Sequence, residues 1–260
     1  MAERLVSLIS GGGTTMEQMI LASQDDKIDG IEFAGVIASN REAGGIEKAR
    51  KLDVPVVIVD PKKYRNGDGT LDQNGYANAL IWAADRFGAT VFTQNGHLPA
   101  TPDKFIEHVK KRGQGGFNQH PGSLPDFGGI EIFRDEEIGV DRDIRVGMYG
   151  RRVHQASLVA KRLFPNAGKW TEAVTHRVEE GVDTGRIVGS KRVDILKSDT
   201  VADLQARVLP VEHALQIELM HQIGSGTVTE LPPGETLFLP EQQETLKMIK
   251  LNAALAYPEG

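Results

Sequence analysis

Short apolar runs alternate with segments of helical periodicity through the first half of this sequence. Between the runs, apolar residues recur at the three-to-four-residue spacing of an amphipathic helix. Strands that alternate with helices of this length are typical of a parallel sheet covered by helices on both faces. The sequence therefore predicts an α/β fold with a doubly wound, mostly parallel sheet. The predicted strands cover residues 5–9, 31–38, 54–59 and 89–93, and the predicted helices start near residue 16 and cover 43–52, 75–87 and 101–112.

The second half of the chain is less regular. A charged segment, residues 128–146, interrupts the alternation and leaves a lid, a hairpin and an oligomer contact open as interpretations. Pro210 lies within the long helical pattern of residues 198–223, where it predicts a kink or a break. The other predicted elements are a helix at 150–163, strands at 171–178 and 187–195, and one or two strands followed by a short helix after residue 226.

No clean linker divides the chain, and 260 residues are enough for one large domain. We expect a main domain of residues 1–226 with an insert at about 128–148. A C-terminal extension, residues 227–260, is expected to pack on this domain.

Candidate chemistry is found in Asn118-Gln119-His120-Pro121, which follows a short apolar stretch. Side chains two residues apart on an extended backbone point to the same side, so Asn118 and His120 can donate hydrogen bonds to one developing oxyanion. Pro121 and the glycine and proline residues after it turn the chain away, which leaves the pair at the open end of a strand. The alternative is a histidine whose hydrogen bonds are satisfied at the end of a strand and which has no catalytic role.

A glycine-rich loop, residues 10–15, joins the first predicted strand to the first predicted helix. Glycines let backbone N–H groups approach an anion at the positive end of a helix, so the loop predicts a phosphate site. Thr14 with Glu17, or Thr15 with Gln18, would form a capping box. The glycine spacing matches neither the dinucleotide-binding fingerprint nor a P-loop, so a turn that only packs strand against helix stays open.

Composition limits the function classes. The formal net charge of −6 and the pI near 5.7 argue against broad binding of nucleic acid or of an anionic membrane, and they favour small-molecule substrates. The absence of cysteine excludes disulfides, thiolate nucleophiles and cysteine-based metal sites. Because no apolar run is long enough for a membrane span or a signal sequence, a cytoplasmic protein is expected.

Two further stretches contain candidate functional residues. Glu180-Gly181-Val182-Asp183-Thr184-Gly185 lies between two predicted strands, and Glu212-His213 lies on the last long helix. With the glycine-rich loop and N-x-H-P, they occur in the order found in folate-dependent formyltransferases, and the chain resembles that family over about residues 4–224. The phosphate loop makes the resemblance greatest to the branch that formylates glycinamide ribonucleotide in purine synthesis. The resemblance implies a Rossmann-like formyltransferase fold, 10-formyltetrahydrofolate as co-substrate and no metal.

The resemblance also implies roles for individual residues. Asn118 and His120 match the pair that stabilises the oxyanion, and Asp183 matches the catalytic carboxylate, which transfers a proton. A carboxylate beside an imidazole favours its charged form, so a protonated His120 is expected. Glu212 matches an acid that contacts the amine substrate; taken alone, Glu212 would be a solvated helix residue and Asp183 a turn residue. The residues that match the phosphate and ribonucleotide loop are Gly11, Gly12, Gly13, Thr14 and Thr15.

A third strand-end loop is expected to border the folate pocket. The family usually has an aromatic-Met-Arg segment here, and this sequence does not. The difference leaves the details of folate recognition open. The expected pocket residues are Asn95, Gly96, His97 and Leu98 from this loop, and His154 from a G-x-x-x-H segment. Histidines without metal-ligand spacing are assigned to the surface, to loops or to helix faces. They are His97, His108, His176, His213 and His221. His97 is the exception among them, because its loop is expected to border the folate pocket.

Other functions stay open. They are a formyltransferase for another amine, such as a sugar nucleotide amine, a 10-formyltetrahydrofolate hydrolase, and a non-catalytic folate- or nucleotide-binding module. The last predicts that Asn118, His120 and Asp183 do not converge. The expected partners are a phosphorylated amine and a folate, with no nucleic acid and no membrane, and a homodimer is left open.

Overall fold

The computed structural model describes residues 2–25, 28–134 and 144–260. Within these residues, seven strands form one sheet in the order β3-β2-β1-β4-β5-β8-β9, and β6 pairs with β7. Strands β1 to β5 are parallel, whereas β8 and β9 are antiparallel to their neighbours, which confirms the predicted mostly parallel α/β sheet. The strands are β1 (Glu3–Ile9), β2 (Ile31–Ala38), β3 (Val56–Ile58), β4 (Val91–Gln94), β5 (Gly115–His120), β6 (Ile130–Phe133), β7 (Ile144–Gly147), β8 (Trp170–Val178) and β9 (Ile187–Asp194).

Helices cover both faces of the sheet. Leu5 and Ile9 of β1 lie in a core that includes residues of α1 and α6, whereas Val6 and Leu8 lie in a core that includes residues of α3 and α4. A strand buried on both faces reads as a continuous apolar run, which explains why β1 and β2 are recognisable in the sequence. The helices are α1 (Thr14–Gln24), α2 (Gly45–Lys51), α3 (Gln73–Arg86), α4 (Asp103–Lys110), α5 (Arg151–Leu163), α6 (Val201–Ser225) and α7 (Gln243–Ala256), and short 3₁₀ helices cover Pro61–Tyr64, Pro165–Ala167 and Pro240–Gln242.

The long helix α6 runs through Pro210 without interruption, so the predicted break is wrong. Proline inside a helix costs about 3 kcal/mol, because it removes one hydrogen bond and crowds the preceding turn. Helix α6 buries nine side chains along its length, among them Leu204 and Leu219, and this burial outweighs the local cost.

The extension after residue 226 differs from its prediction in one respect. Residues 227–239 form no strand, and Pro232 and Pro233 have no N–H groups to donate to a ladder. The predicted terminal helix is present as α7, which packs against α5 in a third core with Phe127 and Phe238. Asp126 accepts a hydrogen bond from the Leu237 backbone at 2.9 Å. The extension therefore contacts the segment that directly follows Asn118 and His120.

The charged insert is described only in part. Strands β6 and β7 pair antiparallel at its two ends. Its charged centre, residues 135–143, lies outside the described residues. The three interpretations of this stretch, a lid, a hairpin and an oligomer contact, therefore concern residues outside the described part of the chain.

Candidate active site

Strand β5 carries the first two candidate residues at its carboxyl end. Asn118 and His120 lie on the same face of the strand, as their spacing predicts, and both approach Asp183. The carboxyl ends of parallel strands are where ligands bind in open α/β sheets. The pair therefore lies at the edge of the sheet where substrate is expected.

Asp183 reaches this edge from the turn between β8 and β9. Its backbone has a φ of 55°, a left-handed conformation that Asp and Asn tolerate better than other side chains do. The Gly129 N–H donates to Oδ2 at 3.0 Å and fixes the carboxylate. Oδ1 lies 3.5 Å from Asn118 Nδ2, and Oδ2 lies 4.0 Å from His120 Nε2. The three candidate residues thus form one cluster.

His176 is a fourth member of this cluster, and its assignment to a surface, loop or helix-face position was wrong. It lies on β8 directly opposite Asn118 in the antiparallel register. The side chain is buried, and Nε2 is 3.6 Å from Asp183 Oδ1. Residues directly opposite on paired strands share a face. The missing information was the register between β5 and β8, which no local pattern supplies.

Two titratable groups of the cluster, Asp183 and His120, have shifted pKa values. Burial by itself raises the pKa of Asp183, but His176, His120 and the Gly129 N–H together outweigh it and hold the pKa at about 2. Burial lowers the pKa of His120, and the Asp183 carboxylate, which raises it, does not compensate. Desolvation therefore opposes the expected protonation of His120, whereas Asp183 favours it.

His120 is held by acceptors on both sides of its ring. Nδ1 lies 3.0 Å from the Gly122 carbonyl oxygen, and Nε2 lies 3.2 Å from the Met148 carbonyl oxygen. A neutral imidazole has one N–H, so it donates to one of these carbonyls at a time. Asp183 lies on the Nε2 side, which favours the tautomer with its proton on Nε2.

A cleft of about 900 Å³ opens over this cluster. Its lining includes residues of the glycine-rich loop, Asn118 and Asp183, and residues of the segment after β4 and of the start of α5. His154 lines it as predicted; burial lowers the pKa of this histidine to about 4, and Nδ1 has no hydrogen-bond partner. The cleft has the size and the mixed lining of a site for two small molecules.

The glycine-rich loop contributes exposed backbone to the cleft. Gly11 and Gly12 line it, and a Cβ at either position would meet nothing within 4 Å. Gly13 has another role, because its φ is 63° and a Cβ there would lie 2.8 Å from the Gly45 Cα. It is therefore required for the close approach of the loop to α2, whereas Gly11 and Gly12 are the open positions of the loop.

Helix α1 begins without the predicted capping box. Its N-cap is Gly13, and no side chain caps the first turn. The first N–H groups of the helix are thus left for another acceptor. The exposed Thr14 presents its side chain to solvent, whereas the buried Thr15 accepts a hydrogen bond from Gln119 Nε2 at 3.2 Å. Of the two threonines, only Thr14 is free to meet a ligand.

Glu212 is buried, so a solvated helix residue is the wrong description of it. It lies on α6 and lines the cleft, and its Oε1 accepts a hydrogen bond from Gln119 Nε2 at 3.3 Å. Burial raises its pKa to about 8, and the Gln119 hydrogen bond only partly opposes this. Glu212 is therefore mostly a neutral carboxylic acid at pH 7.

The segment after β4 is divided between the cleft and the interior. Gly96, His97 and Leu98 line the cleft, whereas Asn95 lies in a buried network and donates to Gln119 Oε1 at 2.9 Å. Burial lowers the pKa of His97 to about 4, and a backbone interaction with Ile9 opposes this only in part. The Ser10 N–H donates to the Gly96 carbonyl oxygen at 3.1 Å. This segment is thereby joined to the glycine-rich loop.

Neither a metal site nor a membrane span is found in the part of the chain that the structure describes. No group of three or more His, Asp or Glu side chains there is arranged to hold a metal ion. None of the helices there is both long and apolar enough to cross a bilayer.

Similarity to solved structures supports the fold. A phosphoribosylglycinamide formyltransferase from Brucella melitensis superposes with a TM-score of 0.68 at 26% identity, with 89% of this chain and 100% of that chain covered. A glycinamide ribonucleotide transformylase from Symbiobacterium toebii gives 0.68 at 24% identity, with 91% and 95% covered.

Sequence comparison gives the family. The chloroplastic phosphoribosylglycinamide formyltransferase of Arabidopsis thaliana is 27% identical over 221 residues, which are 85% of this chain and 65% of that protein. The Schizosaccharomyces pombe phosphoribosylglycinamide formyltransferase is 23% identical, with 86% and 98% covered. The chain thus spans less than two thirds of the plant relative. A family model described as formyl transferase matches residues 3–142 and 149–220, which is most of the sequence. On this evidence the chain belongs to the formyl transferase family.

Proposed function

We propose that this protein transfers a formyl group from 10-formyltetrahydrofolate to the primary amine of glycinamide ribonucleotide. The observation that carries the proposal is that one cleft contains a donor pair, a carboxylate and a glycine-rich loop at a helix N-terminus. Formyl transfer to an amine needs the first two groups, and a phosphorylated amine needs the third. The family membership and the names of the relatives agree with this assignment.

Asn118 and His120 would stabilise the charge that develops on the formyl oxygen. The amine nitrogen attacks the formyl carbon, a new N–C bond forms, and the C=O electron pair moves to the oxygen. Preorganised donors at this position are each worth about 10²–10³ in rate. The Asn118 amide and one N–H of His120 are such donors, and the burial of His120 strengthens its interaction with an anion.

Asp183 would take the proton that the attacking amine must lose. Its low pKa keeps it ionised at neutral pH, and it lies beside both donors. Collapse of the tetrahedral intermediate breaks the bond between the formyl carbon and the folate nitrogen, and that nitrogen takes up a proton. Asp183 can return it directly or through water.

The glycine-rich loop would bind the substrate phosphate. Gly11 and Gly12 expose their backbone, the first turn of α1 is uncapped, and the Thr14 side chain is exposed. An anion at this place meets N–H groups and the positive end of the helix dipole. Glu212 faces the same part of the cleft and would contact the rest of the amine substrate.

The segment after β4, which is joined to the glycine-rich loop, would contact the folate. Gly96, His97, Leu98 and His154 line the cleft and would border the heterocycle. The free volume of about 900 Å³ accommodates both substrates. The lining of the cleft thus fits 10-formyltetrahydrofolate, with no step that requires a metal.

The test is turnover of 10-formyltetrahydrofolate with a panel of acceptors. The panel contains glycinamide ribonucleotide, its phosphate-free riboside and a sugar nucleotide amine. A control reaction contains no amine. Glycinamide ribonucleotide is expected to react fastest by a wide margin. Faster turnover with another amine would reassign the substrate, and equal turnover without amine would indicate a hydrolase. Binding without turnover of any acceptor would indicate a non-catalytic module.

A further inference from the structure

One residue of the N-Q-H-P segment has no role in the chemistry described so far. Gln119 lies between Asn118 and His120 on β5, so its side chain points to the opposite face of the strand. There it contacts Asn95, Thr15 and Glu212 and lines the cleft beside Glu212.

The hydrogen bonds around Gln119 run in one direction. Asn95 Oδ1 accepts from the Ser7 hydroxyl at 2.7 Å and from the Thr93 hydroxyl at 2.8 Å. The Asn95 amide nitrogen is therefore the end that donates to Gln119 Oε1. This contact fixes the orientation of the Gln119 amide, so both of its N–H groups are directed towards Thr15 and Glu212. A buried chain of polar groups thus ends at the carboxyl group of Glu212.

We propose that Gln119 is a positioning residue for the amine substrate, because it fixes which carboxyl oxygen of Glu212 is offered to the cleft. Oε1 accepts from Gln119, which leaves Oε2 for the ligand. This inference rests on the proposed function for the identity of the amine.

The protonation state gives this arrangement a chemical consequence. The pKa of Glu212 is raised to about 8, so the carboxyl group carries a proton at pH 7. Since Oε1 is an acceptor, the proton is on Oε2, and Glu212 presents an O–H donor to the cleft. It therefore selects an acceptor oxygen of the substrate, a hydroxyl or a carbonyl. Without a carboxylate here, the attacking amine is not held as an ammonium ion.

Two variants test the proposal in different ways. Gln119→Leu removes both donors, so Glu212 loses its fixed orientation. Gln119→Glu keeps an acceptor for Asn95 but offers oxygen instead of N–H to Glu212, so the Glu212 proton is drawn inward, away from the cleft. For both variants we expect KM for glycinamide ribonucleotide to rise about five- to tenfold, the effect of one or two hydrogen bonds. kcat and KM for 10-formyltetrahydrofolate should stay close to those of wild type.

Gln114→Leu is the matched control. Gln114 precedes β5 and also connects it to α6, through a hydrogen bond of 2.9 Å to the Ile223 carbonyl oxygen, but it has no contact with Glu212. This variant loses a comparable structural hydrogen bond and should leave both KM values unchanged. Thermal melts of all variants show which of them are folded, and the less disruptive Gln119→Glu keeps the test valid if Gln119→Leu does not fold.

A double-variant comparison shows whether Gln119 acts through Glu212. In a Glu212→Ala background, Gln119→Leu should raise KM for the amine by less than about twofold, because the group that it positions is gone. A full additional rise would overturn the proposal, as would equal rises in both KM values or the same pattern in Gln114→Leu. Failure of the proposed function is seen separately, as wild-type protein that does not formylate glycinamide ribonucleotide.

Discussion

The two faces of β5 at its carboxyl end contain different kinds of polar site. One face holds Asn118 and His120 next to the ionised Asp183, with a pKa of about 2. The other face holds Gln119 next to Glu212, whose pKa is raised to about 8. Glu212 is buried and the Asp183 side chain is only 10% exposed, so burial alone does not decide their charge.

The difference comes from what surrounds each carboxyl group. Asp183 has two imidazoles and a backbone N–H within reach, and these stabilise a negative charge. Glu212 has one neutral amide partner, which is too little to offset desolvation. The first face is therefore suited to transferring protons and the second to recognising a neutral group. Because side chains alternate along a strand, three consecutive residues supply both faces.

The largest effect is expected from Asp183. Asp183→Asn should lower kcat by about 10²–10⁴, because an amide cannot accept the amine proton. Asn tolerates the φ of 55°, so the melting temperature should stay close to that of wild type. Asp183→Ala, by contrast, should lower both kcat and stability, since Ala disfavours this backbone conformation. Steady-state kinetics and thermal melts check both variants, and a kcat near that of wild type in folded Asp183→Asn would remove Asp183 from the mechanism.

The face with Asn118 and His120 was largely predictable from the sequence, whereas the face with Gln119 was not. An N-x-H spacing on an extended strand specifies that two side chains share a side, whatever the rest of the fold does. The burial of Glu212 depends on how α6 packs against the sheet, and the buried place of Asn95 depends on its contacts with Ser7 and Thr93. These are long-range contacts that a local pattern does not encode.

Predictions also failed where tertiary contacts override local signals. The capping box at Thr14 and Thr15 is absent, since Thr15 is turned inward to Gln119. Pro210 does not break α6, because the burial of that helix outweighs the lost hydrogen bond. His176 required the register of two antiparallel strands. The apolar runs of β1 and β2, in contrast, were found because strands buried on both faces carry the signal within their own sequence.

The next effect concerns substrate binding at the glycine-rich loop. Gly12→Val adds a branched side chain over exposed backbone that would contact the phosphate, so KM for glycinamide ribonucleotide should rise at least about tenfold with little change in KM for the folate. Nothing lies within 4 Å of a Cβ at Gly12, so the protein should remain folded.

Gly67→Val is the matched control for Gly12→Val. Gly67 is also exposed with nothing within 4 Å of a Cβ, but it does not line the cleft. The phosphate-free riboside should be affected equally little by both variants. Equal KM changes for amine and folate in Gly12→Val would mean that residues 10–15 are only a packing turn.

The smallest effect is a dependence of stability on pH. The pKa of Glu212 is raised from its ordinary value of 4.5 to about 8 in the folded state, so the folded protein binds more protons than the unfolded chain between these values. The stability that Glu212 contributes is fully present below pH 4.5 and is lost as the pH rises towards about 8, at most about 1.4 kcal/mol per pH unit.

Glu212→Gln isolates this contribution, because the amide does not titrate and still accepts a hydrogen bond from Gln119. The buried histidines have lowered pKa values and give stability a slope of the opposite sign, but they are common to both proteins and cancel in the difference. The melting temperature of wild type minus that of Glu212→Gln should therefore fall by up to about 8–16 °C between pH 5 and 8, because about 4 kcal/mol is lost at about 2–4 °C per kcal/mol, and then level off. A flat difference would show that Glu212 is ionised in the folded protein, and the contrast between the two faces of β5 would be lost.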